Sequence, residues 1–344
     1  MTFPKLHLLS IFQPFNPRRF FPALFFLCLL FARPPGAPAQ DDFFGALRPE
    51  MGKSQTSLSY PYTGYPGQDV AGQGKDLALN QHGLSLSHPI TQGSNHEWVL
   101  TGNLRYSKVR TDAILPDSRD SFPSELWDIN GGALYRHKFQ NDWIGGAFLT
   151  VGSASDQPFA SYDELTINAN LFARIPHEGR NAWLLFLNYA NNREFWPHVP
   201  IPGVGYSYDP SEAYRLIIGI PFLSAQLRPA ENLSIDLSYL AVRNVQARLS
   251  YRFGKSFRGY GGFAWRNERY FRADRSDRND RLFYYEKRLF VGLQWSLGML
   301  TMDASGGFAF DRFYFESEKY ENRDQNRVNV GNGPYGSLRI GLRF

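Results

Sequence analysis

The 344-residue chain has one cysteine, four methionines and little charge imbalance. Cys28 lies in the leading segment, so the remainder carries no thiol. That excludes disulfides and cysteine-ligated metals there, and it suits export into an oxidising compartment. After the first forty residues there is no run of about 20 apolar residues, which excludes a conventional helical span. The formal charge of +5 is also deceptive: Lys5, Arg18, Arg19 and Arg33 all fall in the acid-free leader, and removing them leaves about +1. A nucleic-acid partner needs a basic stripe, and none is present. Gly203-Val204-Gly205 has no helical pattern after it and is no phosphate loop. What the chain does have is 16% aromatic residues together with a mean hydropathy of −0.38. Alternating strands account for both, because only every second residue is apolar.

Residues 1–19 carry only positive charge, and Phe20 to Ala32 is apolar but short and interrupted by Pro22. Ala37-Pro38-Ala39 then supplies small residues before a cleavage point. These features define a secretory signal peptide over residues 1–39, a short periplasmic segment over 40–50 and a barrel over 51–344. Asp41-Asp42-Phe43-Phe44 is a weak candidate for an amino-terminal plug.

The body alternates in polarity with period two. Trp98, Leu100, Leu104 and Tyr106 share one face, opposite Thr101, Asn103 and Arg105. Val245, Ala247, Leu249, Tyr251 and Phe253 oppose Gln246, Arg248, Ser250 and Arg252 without exception. The final stretch places Leu338, Ile340, Leu342 and Phe344 opposite Ser337, Arg339, Gly341 and Arg343. An apolar row against a charged one fits a strand between lipid and a wet interior. The terminal row with its aromatic last residue also resembles the signal read by the outer-membrane assembly machinery, which makes that machinery an expected partner. The last edge strand of a soluble sandwich would show the same alternation. Two further patterns favour a barrel: Tyr and Trp cluster at the ends of the apolar rows, and short links alternate with long polar ones. The reading is therefore all-β: a transmembrane antiparallel up-and-down β-barrel of about 14 strands, with about 12 as the alternative because Pro221 can mark either a bulge or a break.

Ile201-Pro202-Gly203-Val204-Gly205-Tyr206, Gly219-Ile220-Pro221, the run Val245–Tyr251, Phe283-Tyr284-Tyr285-Glu286-Lys287-Arg288 and Phe310-Asp311-Arg312 carry a resemblance to a bacterial outer-membrane barrel family known only as a domain of unknown function. The resemblance spans the mature chain and implies an outer-membrane barrel. It supplies no activity, cofactor or catalytic residue.

Expected lumen-lining residues are Arg105, Arg136, Arg174, Arg215, Arg248, Arg252, Arg288 and Arg339, with Arg266 and Arg343 beside them. They outnumber the inward acids Asp128, Glu164, Asp236, Glu286, Asp303 and Asp311. Rings of arginine favour anions in a pore, whereas arginine–carboxylate pairs would fill and stiffen a narrow barrel. Inward Phe148, Phe172, Phe186 and Phe290 also take up space. The run Arg272 to Arg281 alternates Asp and Arg. Asp274, Asp277 and Asp280 could hold calcium, its arginines could meet lipopolysaccharide phosphates, or it could be a solvated, self-neutralising loop. The loop from Asn191 to Pro210 could fold inward as a constriction. The histidines are scattered and no Ser–His–acid set is evident, so no enzyme, cofactor or metal site is expected. The expected role is a porin-like route for small solutes, anions among them. The alternatives are a non-conducting barrel binding lipopolysaccharide or ligands through its loops, and a transporter of apolar compounds.

Overall fold

The computed structural model describes residues 50–240 and 244–344. The leader, Cys28 and the Asp41–Phe44 candidate plug lie outside the described residues, as does most of the Ala241–Asn244 link.

Seventeen strands form one antiparallel sheet: β1 (Ser57–Val70), β2 (Lys75–Gln92), β3 (His96–Thr111), β4 (Glu125–Lys138), β5 (Ile144–Ser155), β6 (Leu165–Pro176), β7 (Ala182–Ala190), β8 (Ile201–Ser211), β9 (Tyr214–Ile220), β10 (Phe222–Ala230), β11 (Leu233–Leu240), β12 (Asn244–Phe253), β13 (Phe257–Tyr270), β14 (Arg281–Leu297), β15 (Leu300–Ser317), β16 (Val328–Val330) and β17 (Gly333–Arg343). β1 pairs with β2 on one side and β17 on the other, with Ser57 opposite Arg343 and Gly64 opposite Gly336. The sheet is thus closed. β16 and β17 both lie between β15 and β1 and share one position, so the barrel has sixteen positions.

Two strands more than the 14 expected come from one proline-rich stretch. The expected long loop from Asn191 is only residues 191–200; the rest is β8, in register with β7 and β9. Its alternation (Val204, Tyr206 and Tyr208 outward; Gly203, Gly205, Ser207 and Asp209 inward) was masked by its prolines and glycines. Gly203 is required there because a Cβ would collide with the Phe186 ring, which fills the lumen at that level. The next expected strand is two, β9 and β10, folding back at Pro221 so that Leu223 meets Ile218.

Outward rows carry the exposed apolar side chains, among them Leu86, Leu100, Leu149, Leu171, Leu185, Leu249, Val291 and Ile340. Aromatics bound them at both ends. At the end carrying the termini, Trp98 packs on Tyr135 at 4.6 Å and Trp183 on Tyr206 at 4.9 Å; at the other, Tyr106 packs on Trp127 at 4.3 Å. From Trp98 to Tyr106 the strand rises roughly 27 Å, or about 20 Å after tilt, close to the apolar band of an outer-membrane barrel. Among the described residues no Asp, Glu, Lys or Arg stands in an outward row between these girdles. Asp311, expected inward, sits at a bulge with φ 50° and reaches outward to Lys287 at 2.7 Å, level with the upper girdle.

The wall is uneven. β7 to β12 are short, whereas β13–β15 and β1–β5 run well past the girdle. Beyond Trp265, β13 has no β12 partner. Its end crosses instead to β5, where Phe271 forms a parallel bridge with Ser155. The tall side therefore closes on itself over the mouth, around a core that includes Tyr65, Leu77, Leu79, Phe122, Tyr284 and Tyr314.

Candidate functional site: the barrel interior

The eight predicted arginines all lie on the face opposite the exposed apolar rows, but in two environments. In the half nearer the long loops they are paired and packed. Glu286, fully buried, accepts from Tyr65 at 2.9 Å and Tyr284 at 2.8 Å, from Arg266 at 3.4 Å, and from Arg288. Arg312 stands 3.9 Å away. Glu268 pairs with Arg105 and Arg266, both at 2.6 Å, and accepts from Tyr270 at 2.8 Å and Gln81 at 3.3 Å. Arg105 also holds Asp128 at 2.8 Å. Because β3 and β13 are separated by several strands around the wall, the Arg105–Glu268 pair spans the lumen and does not line it. Tyrosines suit this place: the ring fills apolar space while the hydroxyl supplies a donor to a buried carboxylate.

The loops add a second layer. Arg272, only 1% exposed, binds Asp120 at 2.7 Å and Glu316 at 3.4 Å. Arg275 binds Glu164 at 3.0 Å. The Arg272–Arg281 run is therefore not the solvated, self-neutralising loop expected of it: two of its arginines turn inward, to Asp120 and Glu164 of other loops and to Glu316 near the end of β15. Asp274 receives Arg272 at 3.1 Å, and no cluster of three or more possible metal ligands occurs among the described residues. Residues 191–200 reach across the mouth as well, with Glu194 paired to Arg269 of β13 at 2.7 Å and Phe195 against Tyr320.

The carboxyls at this mouth respond to pH in opposite senses. Hydrogen bonds from Arg272 and Ser118 hold Asp120 below the usual range. Burial works against the charge of Glu164, but Ser161 and Arg275 outweigh it and hold that carboxyl low too. Glu316, beyond the upper girdle, is pushed up to about 7 by burial, which Arg272 only partly offsets. A raised carboxyl stabilises the closed mouth most below the ordinary value of about 4.3, and that contribution is lost as pH climbs through about 7. The Asp120 and Glu164 contributions are instead lost on acidification below the ordinary range. Limited proteolysis within residues 271–280 is thus expected to accelerate from about pH 6 to about pH 8, with Glu316→Gln flattening the rise. Slower cleavage at the higher pH would contradict this.

In the half nearer the termini the arginines are less satisfied. Arg136 pairs with Glu97 and donates to the Glu50 carbonyl at 3.1 Å. Arg215 holds Asp209 at 2.9 Å, and among the described residues Arg174 donates only to the Arg180 carbonyl at 3.0 Å. Arg248 lies 3.6 Å over the Tyr260 ring with Asp303 at 3.7 Å. Arg228, Arg252, Arg258, Arg339 and Arg343 have no ion pair or side-chain hydrogen bond among the described residues. Leu338, Ile340, Leu342 and Phe344 face outward, opposite Ala304, Met302 and Leu300 of β15 for the first three. Four histidines (His82, His88, His137 and His177) meet hydroxyls of neighbouring Tyr or Thr residues.

Alternation identified the inward arginines, but not their partners across the lumen. Tyr65, Gln81, Glu268 and Arg312 were missed because the contacts joining them run between strands far apart in sequence. The only signal was a Tyr or Glu at inward parity on an over-long strand.

No family model and no curated protein matches the chain. Solved structures similar to it are outer-membrane barrels. They include an outer membrane channel from Pseudomonas putida F1 (12% identity, 84% of this chain and 96% of that one, TM-score 0.37), the translocator domain of the autotransporter NalP from Neisseria meningitidis (12%, 90% and 96%, 0.31) and CdiB from Acinetobacter baumannii (10%, 84% and 60%, 0.36). At this distance the similarity extends to no shared activity; the closed sixteen-position sheet itself establishes the fold class.

Proposed function

We propose that the chain is a bacterial outer-membrane pore for small solutes, selective for anions and shut at its outer mouth in the arrangement described. The supporting observation is the split between the two halves of the interior. Carboxylates match the arginines of the outer half, whereas Arg228, Arg252, Arg258, Arg339 and Arg343 leave an unpaired positive excess in the inner half. Such a surface raises the local anion concentration. The outward apolar belt and its girdles support membrane insertion, with the termini in the periplasm and the long loops facing lipopolysaccharide. Leu338, Ile340, Leu342 and Phe344 would then present the terminal row to the assembly machinery. The packed outer half equally favours a second reading, a non-conducting barrel that binds ligands.

Planar-bilayer recording of the purified chain separates the two. Infrequent openings are expected, with a reversal potential across a potassium chloride gradient displaced towards that of chloride. No channel events in either the native chain or one with a loosened mouth would remove the pore; cation preference would remove the anion assignment.

A further inference from the structure

Arg252 and Arg258 stand directly opposite each other on β12 and β13, both on the inward face. Like charges in that relation repel and destabilise a sheet. Arg228 of β10 joins them around a cavity of about 130 Å³ at the rim nearest the termini. Ser234, Asp236 and Glu231 also line it. Asp236 lies opposite Arg248, and Glu231 is on the exposed β10–β11 turn. Neither acid forms an ion pair with the three arginines among the described residues. Elsewhere in this interior, the buried Arg136, Arg272, Arg288 and Arg312 each have a carboxylate within 4 Å. Here two rim guanidiniums face each other across the strands beside an open cavity, with Asp236 near enough to feel Arg258 and Arg228 but bonded to neither.

We propose that Arg228, Arg252 and Arg258 form a subsite for a small phosphate-bearing anion entering from the end that carries the termini. Three guanidiniums from three strands offer separate forks, which suits a tetrahedral group with several charged oxygens; one fork suffices for a planar carboxylate. The cavity has room for one phosphoryl group. The site deepens the anion-passage reading and rests on it for the supply of ligand. Binding itself needs no opening of the far mouth.

Isothermal titration of the detergent-purified full chain with inorganic phosphate tests this, with acetate as the planar control. Saturable phosphate binding is expected, weakened at least about tenfold by Arg252→Gln with Arg258→Gln and reduced by added salt. Phosphate should also raise the urea unfolding midpoint of the native chain but not of the double variant. If the double variant does not fold, Arg228→Gln alone, on the exposed rim, should still weaken binding. No phosphate binding by the native chain, equal binding by the variants, or acetate binding as tightly as phosphate would each overturn the proposal. Chloride preference, recorded in phosphate-free salt, tests the pore separately: if it persists while phosphate binding is absent, the subsite alone falls.

Discussion

Replacing Glu268 with Gln is expected to destabilise the barrel by about 3–5 kcal/mol and to unlock its outer mouth. The carboxylate is buried and pairs at 2.6 Å with Arg105 from across the lumen and with Arg266 beside it. Removing its charge leaves two guanidiniums facing each other, with only Asp128 for Arg105 and the longer contact to Glu286 for Arg266. A buried charge stripped of its partner costs far more than the pair contributes. The effect should appear as a lower urea midpoint for the tall side and as more frequent openings in bilayer recordings. Adding Arg105→Gln should recover part of the loss, because the two substitutions act on one network. A change of under about 0.5 kcal/mol, with unaltered gating, would show that this network does not hold the mouth.

Val291→Arg is the second large effect. Val291 is 69% exposed and stands on the outward row of β14, midway between Trp295 and the girdle level of Lys287. In hydrocarbon, an arginine at mid-depth costs about 2–4 kcal/mol; on a wetted surface it would change stability by less than about 0.5 kcal/mol. Unfolding titrations in phospholipid vesicles distinguish the two. A near-neutral result would mean that this row does not meet lipid. Moving the same substitution to Lys287→Arg, at the girdle, should cost almost nothing, since depth sets the penalty and that position already carries a charge.

The wall of the barrel was far more legible in the sequence than its contents. Strands such as β12, with Val245 to Phe253 alternating against Gln246 to Arg252, announce themselves because each second residue answers to one solvent. β8 did not, since Pro202, Gly203 and Gly205 imitate loop chemistry while serving packing against Phe186 and Phe222. Arg272 and Arg275 were readable only as charges in a polar loop. Their burial follows from Asp120, Glu164 and Glu316, which approach from three other places in the chain. Periodicity reports which way a side chain points. It carries no information about what waits on the opposite wall.

The closing seam has a bearing on biogenesis. Ser57 to Gly64 meet Gly336 to Arg343, so the first and last strands of the sheet become neighbours only when the cylinder is complete. Tyr65 and Gln81, near the start, are donors to Glu286 and Glu268, near the finish. Before closure those two carboxylates keep the donors of their own side of the wall, Tyr284, Arg266 and Arg288 for Glu286 and Tyr270 and Arg266 for Glu268, and lack Tyr65 and Gln81. Contacts this distant in sequence form slowly. The inner network therefore gains these two donors only in the product in which both ends have met.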